Sequence, residues 1–311
     1  MVKYYGKKFL SMCITLLVVS FFVFAAFEII PGDAAVSQLG TNATQEKVEQ
    51  LREEMGLNRP FMVRYGEWVW NFVRGDLGES YSYHMPVSSM ILEKIPITMT
   101  MSVMALVLTM VCSVPIGVFL AKHTGSCADK IGYAANQMIM AVPAFFLGIL
   151  FTYLFGLILK WFRPGGYVSY TKDFWGFFKY MIMPSIAIAI PKCAMSVKLI
   201  RSSILTESKK DYVRTAYSRG NSTTQVLYRH VLKNAMLPVV TFWGMAFTDM
   251  IASSIVVEQV FNIPGLGRIL LTSISNRDFP VVEAVILLIA VLVLVTNFLV
   301  DILYRILDSR I

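Results

Sequence analysis

Lys192 and Asp249 are the residues least suited to their surroundings. Each is flanked by apolar sequence long enough to cross a bilayer, where an ionised side chain is costly and usually serves a purpose. Lys192 lies about 12 residues into an apolar segment that starts near Tyr180, roughly 18 Å along a helix at about 1.5 Å per residue. Asp249 precedes Glu258 by nine residues, roughly 13 Å by the same rise. Similar depths permit a pair. Three readings stand side by side. The two charges line a path and recognise a charged solute, for instance the two ends of a peptide. They form an ion pair that only ties helices together. Or Lys192 snorkels towards water, helped by a helix break at Pro191.

The second concentration of polar chemistry lies between Arg201 and Lys233. Residues 192–233 carry nine basic side chains against two acids, Glu207 and Asp211. Gly220 suits the position just past a short helix, and Ser222 or Thr223 suits the start of the next. Val226, Leu227, Val231 and Leu232 give that second helix an apolar stripe. Such helices outside a bilayer fit a partner's groove. A solvated basic loop lying on anionic membrane lipid is the other reading.

Other chemistry-bearing residues point to less. His84, His123 and His230 are widely separated, so no metal cluster is expected. Cys13, Cys112, Cys127 and Cys193 form no CxxC pair, and the three in apolar runs read as small core residues. The eighteen methionines read as filler on apolar faces.

The elements that position these residues follow from composition. Of 311 residues, 56% are hydrophobic and 15% charged, against about 25% charged in soluble domains. The mean hydropathy is +0.61. A soluble enzyme, a disordered chain and a disulfide scaffold are thereby excluded, leaving an all-α polytopic membrane protein. The net charge of +8 suggests cytoplasmic loops and not a nucleic-acid partner. Charge-poor runs predict six membrane spans, at 9–30, 95–121, 131–159, 180–204, 234–257 and 281–303. Pro115, Pro143 and Pro191 within them predict kinks.

The most basic loop, 205–233, sets the orientation, since such loops stay inside. Residues 1–8, 122–130 and 304–311 are then also cytoplasmic. Loops 31–94, 160–179 and 258–280 lie outside. The first of these holds six basic and nine acidic residues, as expected there. Loop 160–179 fits less well, with Lys160, Arg163, Lys172 and Lys179. Within 31–94, Asn42 suits the cap of a helix running to about Met55, with Val48 and Leu51 on one face. After Pro60, the residues Phe61, Tyr65, Trp68, Val69 and Phe72 recur at helical spacing. These helices are expected to pack on the membrane domain as a small extracytoplasmic cap, or else to lie on the membrane surface.

Several stretches, in order along nearly the whole chain, resemble a known family. Asp211-Tyr-Val-Arg-Thr-Ala-Tyr-Ser-Arg-Gly220, followed by Arg229-His-Val-Leu-Lys-Asn-Ala-Met-Leu-Pro238, resembles the ATPase-docking segment of ABC importer permeases. So do Pro31-Gly-Asp33, Gly56-Leu-Asn-Arg-Pro60, Arg74-Gly-Asp-Leu-Gly78, Val257-Glu-Gln-Val-Phe-Asn-Ile-Pro-Gly-Leu-Gly267 and Asn276-Arg-Asp-Phe-Pro-Val-Val282, which are similar to the oligopeptide, dipeptide and nickel subgroup. Arg214-Thr215 stands where the wider superfamily has Glu-Ala, as suits this subgroup, and removes an acidic ATPase contact from position 214.

The resemblance implies a type I permease fold. Docking would fall to Asp211, Tyr212, Val213, Arg214, Ala216, Arg219 and Gly220, with Tyr212 and Val213 as apolar anchors and Ala216 and Gly220 allowing close approach. Glu258, Phe261, Pro264 and Gly265 would lie at the outer mouth or touch a binding protein; a plain connecting turn is the alternative. The implied partners are a second related permease chain, two ATPase chains and an extracytoplasmic solute-binding protein. No Gly-x-x-x-x-Gly-Lys-Ser/Thr loop occurs, so ATP and Mg are expected on those ATPases, with no cofactor or catalysis in this chain. The expected solute is an oligopeptide or dipeptide, with a nickel or metallophore complex as the alternative. An ion-coupled carrier or channel working alone is the reading from another class, and a second set of buried charges for coupling ions is missing for it.

Overall fold

In the computed structural model, residues 2–29, 34–39, 44–54 and 56–307 are described. Asn42, Met55, the Pro31–Asp33 motif and residues 308–311 lie outside them. Among the described residues every regular element is a helix; the only extended pairing is an isolated bridge between Glu79 and Pro86. The chain divides into two compact units, Met1–Ile97 with Pro264–Leu294, and Thr98–Ile263 with Val295–Ile311.

The first unit opens with α1 (Val2–Ile29), followed by α2 (Ala34–Leu39), α3 (Gln45–Glu54), α4 (Phe61–Val73) and α5 (Val87–Leu92). The long α1 is built on an apolar run without proline, so nothing interrupts its backbone ladder. Pro60 holds extended backbone just before α4, and Gly75 turns the chain away after it at φ +83°. Between those breaks the aromatic stripe packs on α1. Tyr65 meets Phe21 at 5.5 Å between ring centroids and Trp68 meets Phe24 at 5.4 Å. The Tyr65 hydroxyl shares a 2.8 Å hydrogen bond with Ser20. So α4 packs part of its aromatic face on α1, while Met62, Val63, Trp70 and Val73 stay exposed.

Two further elements complete the unit, α14 (Leu266–Ser275) and the start of α15 (Phe279–Leu307). Asp278 between them is fully buried and accepts hydrogen bonds from Ser80 Oγ at 2.5 Å, Tyr81 N at 3.0 Å and Ser82 N at 3.3 Å. One carboxylate thus fixes the loop before α5 to a turn almost 200 residues away.

The second unit contains α6 (Ile95–Lys122), α7 (Cys127–Met140), α8 (Ala144–Phe151), α9 (Phe174–Glu207), α10 (Asp211–Ser218), α11 (Thr223–Gln225), α12 (Leu232–Ala235) and α13 (Leu237–Phe261). The first residues of α6 belong to the other unit. π-helical turns extend α8 over Thr152–Ile158 and link α11 to α12 over Val226–Val231. Among the described residues five helices are long and apolar enough to cross a membrane, and six spans result if α7 and α8 count as one.

That last pair departs from the single helix expected over 131–159. The two arms meet at 94°. Pro143 lacks an N–H and holds extended backbone at ψ 142°, so the ladder stops there. Pro115, Pro184 and Pro191 instead remain inside continuous helices. At Gly117 α6 comes so close to α9 that a Cβ would stand 2.7 Å from Ile200 Cγ2.

The cysteines also differ from expectation. None is core: Cys112 and Cys127 are exposed, and Cys13 and Cys193 only half-buried. An apolar run in a membrane helix has an apolar outer face, so apolar context does not imply burial.

Candidate functional site

The short helix α10 is bounded as its sequence suggests. Asp211 places a carboxylate in the first turn, where the helix dipole favours it. Arg219 ends the helix and Gly220 follows at φ +82°, a left-handed conformation that costs glycine little. Asn221 Nδ2 donates 2.9 Å to the Ala216 carbonyl, which the helix end leaves without an internal donor. Ser222 caps the next helix, with Gln225 completing a reciprocal capping box.

What lies beneath α10 was not legible in its sequence. Val213 is 2% exposed and Ala216 5%. They form one apolar cluster with Val226, Val231 and Ala235 from the same loop, Val118 and Ala121 of α6, Ile200 and Ile204 of α9, and Val239 and Trp243 of α13. Three long helices therefore share one core with α10. This corrects two expectations. Val213 and Ala216 face their own chain and are not open to a partner. The Val226–Leu232 stripe is likewise spent within the chain. At about 25 cal/mol per Å² of apolar area, such burial is the main force seating a helix of this length.

Tyr212 also turns inward. Its hydroxyl donates to Glu207 Oε1 at 2.8 Å and accepts from Asn234 Nδ2 at 3.1 Å. Burial pushes this phenol above its ordinary range, so it keeps the proton it donates. The open face of α10 belongs to Asp211, Arg214, Thr215, Tyr217, Ser218 and Arg219, with Gly220 beyond them. Arg214 reaches Asp211 at only 3.9 Å, and both side chains are almost wholly exposed. Tyr217 supplies the aromatic surface that Tyr212 and Val213 do not.

A second link holds the base of this assembly. Arg201 donates from two nitrogens to Asp129, at 2.7 Å each, and the Gly125 N–H donates to the same carboxylate at 3.0 Å. The guanidinium also lies 5.6 Å over the Tyr133 ring. Asn136 Nδ2 adds a 2.8 Å bond to the Ala194 carbonyl, so α7 is tied to α9 twice. Sequence reasoning counted Arg201 only as a loop charge and passed over Asp129; 72 residues separate them, and no local signal joins them.

Lys192 and Asp249 do meet, at 2.9 Å. Lys192 is mostly covered at 17% exposure, whereas Asp249 is 64% exposed. The bond joins α9 to α13, and Pro191 leaves α9 continuous. The snorkelling alternative is set aside, because Lys192 Nζ ends on a carboxylate. The residues expected at the outer mouth are mostly covered. Glu258 is fully buried and accepts from Thr98 Oγ1 at 2.5 Å. Phe261 is 2% exposed, and its carbonyl accepts from the Tyr180 hydroxyl at 2.7 Å. Gly265 is buried and Pro264 half-buried. A contact with another protein through the Glu258 or Phe261 side chain is therefore corrected: the end of α13 is closed by its own chain.

Among the described residues the chain is all-α, with five apolar spans, or six if α7 and α8 are one, and a short, core-seated helix in its most basic loop, the architecture of a multi-pass membrane protein. Residues 113–311 match the family described as binding-protein-dependent transport system inner membrane component, and residues 1–102 match its N-terminal family. The chain belongs to this family of multi-pass inner-membrane components. It is 36% identical over 296 residues to a putative peptide transport system permease protein of Brucella abortus, covering 95% of this chain and 94% of that one. It is 35% identical to the oligopeptide transport system permease protein AppB of Bacillus subtilis, covering 95% of each. It is 32% identical to the glutathione transport system permease protein GsiC of Salmonella typhi, covering 100% and 99%. Among solved structures, a chain of the MetNI methionine ABC transporter in inward-facing conformations shares the fold, with TM-score 0.55, 16% identity, and coverage of 70% of this chain and 96% of that one.

Proposed function

We propose that this chain is one permease half of an ATP-driven importer of short peptides, moved by ATPase subunits that grip α10 from the cytoplasm. Three kinds of relative, named for peptide, oligopeptide and glutathione transport, support peptides as the solute class. The observation that carries the mechanism is the shared core of α10, α6, α9 and α13. A push on the open face of α10 is transmitted through Val213 and Ala216 into three long helices at once. Close-packed interiors pass on such displacements with little absorption. ATP binding between two partner ATPases, with its Mg, would then bias an inward-facing and an outward-facing state through differential contacts with this helix. Arg214, Tyr217 and Arg219 are the contacts offered, the arginines to carboxylates.

In the same reading, Lys192 and Asp249 border the solute path. An aspartate open on 64% of its side chain does not suit hydrocarbon, so this face of α13 would meet water and a second, related permease chain. A peptide's ammonium and carboxylate match the pair's two charges. The extracytoplasmic solute-binding protein would deliver the peptide.

The complex purified with its subunits and reconstituted in vesicles tests this. ATP-dependent peptide uptake should fall at least about tenfold in Arg219→Glu, with assembly intact. Uptake without any ATPase, or cross-links placing Tyr217 on the opposite side of the membrane from the ATPases, would overturn it.

A further inference from the structure

The first unit holds an open cavity of about 820 Å³ that the transport reading does not use. Helix α1 contributes Phe24 and Glu28 to its wall, α4 contributes Arg64 and Trp68, and α15 contributes Glu283. Glu283 is 8% exposed, and among the described residues its carboxylate accepts no hydrogen bond and joins no ion pair. Arg64 bonds Glu28 through Nη2, yet its Nε–H is buried and has no acceptor. Buried polar groups are almost always satisfied, and a carboxylate without donors is especially costly. Glu283 thus offers an unmet acceptor on the wall of this space, while the Arg64 Nε–H is covered by protein.

We propose that this cavity binds a primary ammonium group, as at the amino end of a short peptide. The ammonium donates to Glu283. The aromatic rings of Phe24 and Trp68 face the remainder and favour an apolar or cationic body. Phe24 already stacks with the Arg64 guanidinium, 6.0 Å from Cζ to centroid. The volume suits a ligand of two or three residues, within the usual range of small-molecule sites. Ethanolamine phosphate on a lipid presents the same donor and is the second source of this chemistry. The peptide identity rests on the transport reading; the ammonium requirement does not.

The test is equilibrium binding, without nucleotide, to the full complex in nanodiscs of phosphatidylglycerol. The probes are the dipeptide Ala-Phe and its N-acetyl derivative. Ala-Phe should bind, and acetylation should weaken it about tenfold, as loss of a charge-assisted bond does. Glu283→Gln, nearly isosteric, should weaken Ala-Phe about tenfold and leave N-acetyl-Ala-Phe unchanged. Competition by phosphatidylethanolamine discs assigns the site to lipid, while none assigns it to peptide; either keeps the ammonium chemistry. Equal binding of the two probes, no binding of Ala-Phe, or a Glu283→Gln variant that binds as wild type overturns the proposal. Glu283→Asp covers the case in which glutamine disturbs folding, and should retain discrimination between the probes. ATP-driven uptake, measured separately, reports on the transport reading: uptake without Ala-Phe binding sinks only this site.

Discussion

Two ion pairs leave the same helix and differ in almost every respect. Near its end, α9 sends Arg201 into Asp129 through two short bonds, with a backbone N–H completing the carboxylate's shell and only 6% of Asp129 exposed. Nearer its middle, α9 sends Lys192 to Asp249 through one bond, and the aspartate remains largely open. Guanidinium and carboxylate are complementary forks, whereas an ammonium is a point charge on a flexible stem. The first geometry locks two helices. The second keeps a charge pair available to something else. Burial of the acid, more than the distance, separates a fastening from a candidate contact.

The largest expected effect breaks the first pair. Arg201→Ala removes both bonds of the fork to Asp129 and should loosen α7 from α9, read as a lowered midpoint in denaturation of the purified complex or as failed assembly. If that midpoint does not move, the fastening role is wrong. Arg201→Lys keeps the charge and loses the fork, and should fall between the alanine variant and wild type. A third link on α9 is at Glu207, which accepts from the Tyr212 hydroxyl at 2.8 Å and also pairs with Lys210 at 2.6 Å. Tyr212→Phe should cost about 1 kcal/mol and loosen α10, seen as faster hydrogen exchange over residues 211–218. Asp249→Asn should change stability by less than about 1 kcal/mol, as for exposed pairs, while altering which peptides are taken up. Unchanged uptake for every peptide would make that pair structural too. The smallest effect is Arg214→Ala, whose 3.9 Å contact with Asp211 is almost wholly exposed. Its stability should stay within about 0.5 kcal/mol, and any loss should appear only as weaker ATPase coupling.

The sequence reading follows the structure where the signal is local. Apolar runs without charge mark long helices, the Phe61–Phe72 stripe marks α4, and Gly220 and Ser222 mark where α10 ends and α11 begins. Lys192 and Asp249 drew attention because each is a charge set in apolar sequence, and matching depth brought them together before any coordinates did. Signals fail where the partner is remote. Nothing near Asp129 announces Arg201, and nothing near Asp278 announces Ser80. They also fail where two environments favour the same residue type. Val213 on an amphipathic helix looks alike whether it meets its own chain or another, so its sequence does not separate the inward residues Val213 and Ala216 from the open ones, Asp211, Arg214 and Arg219. The right angle between α7 and α8 is a third kind of miss, since a single proline can kink a helix slightly or end it, depending on what surrounds it.

Gly117 sets the spacing on which this machinery depends. With hydrogen in place of a methyl, two long rods touch backbone to side chain at a point only a few residues from the α10 seat, Val197 O lying 3.3 Å from where a Cβ would be. Substituting alanine would wedge those rods apart by a fraction of an ångström to about one ångström. On the proposed transport reading, the tilt so introduced would reach the α10 loop as a misaligned grip, and a single added carbon there would uncouple fuel consumption from cargo movement without touching either.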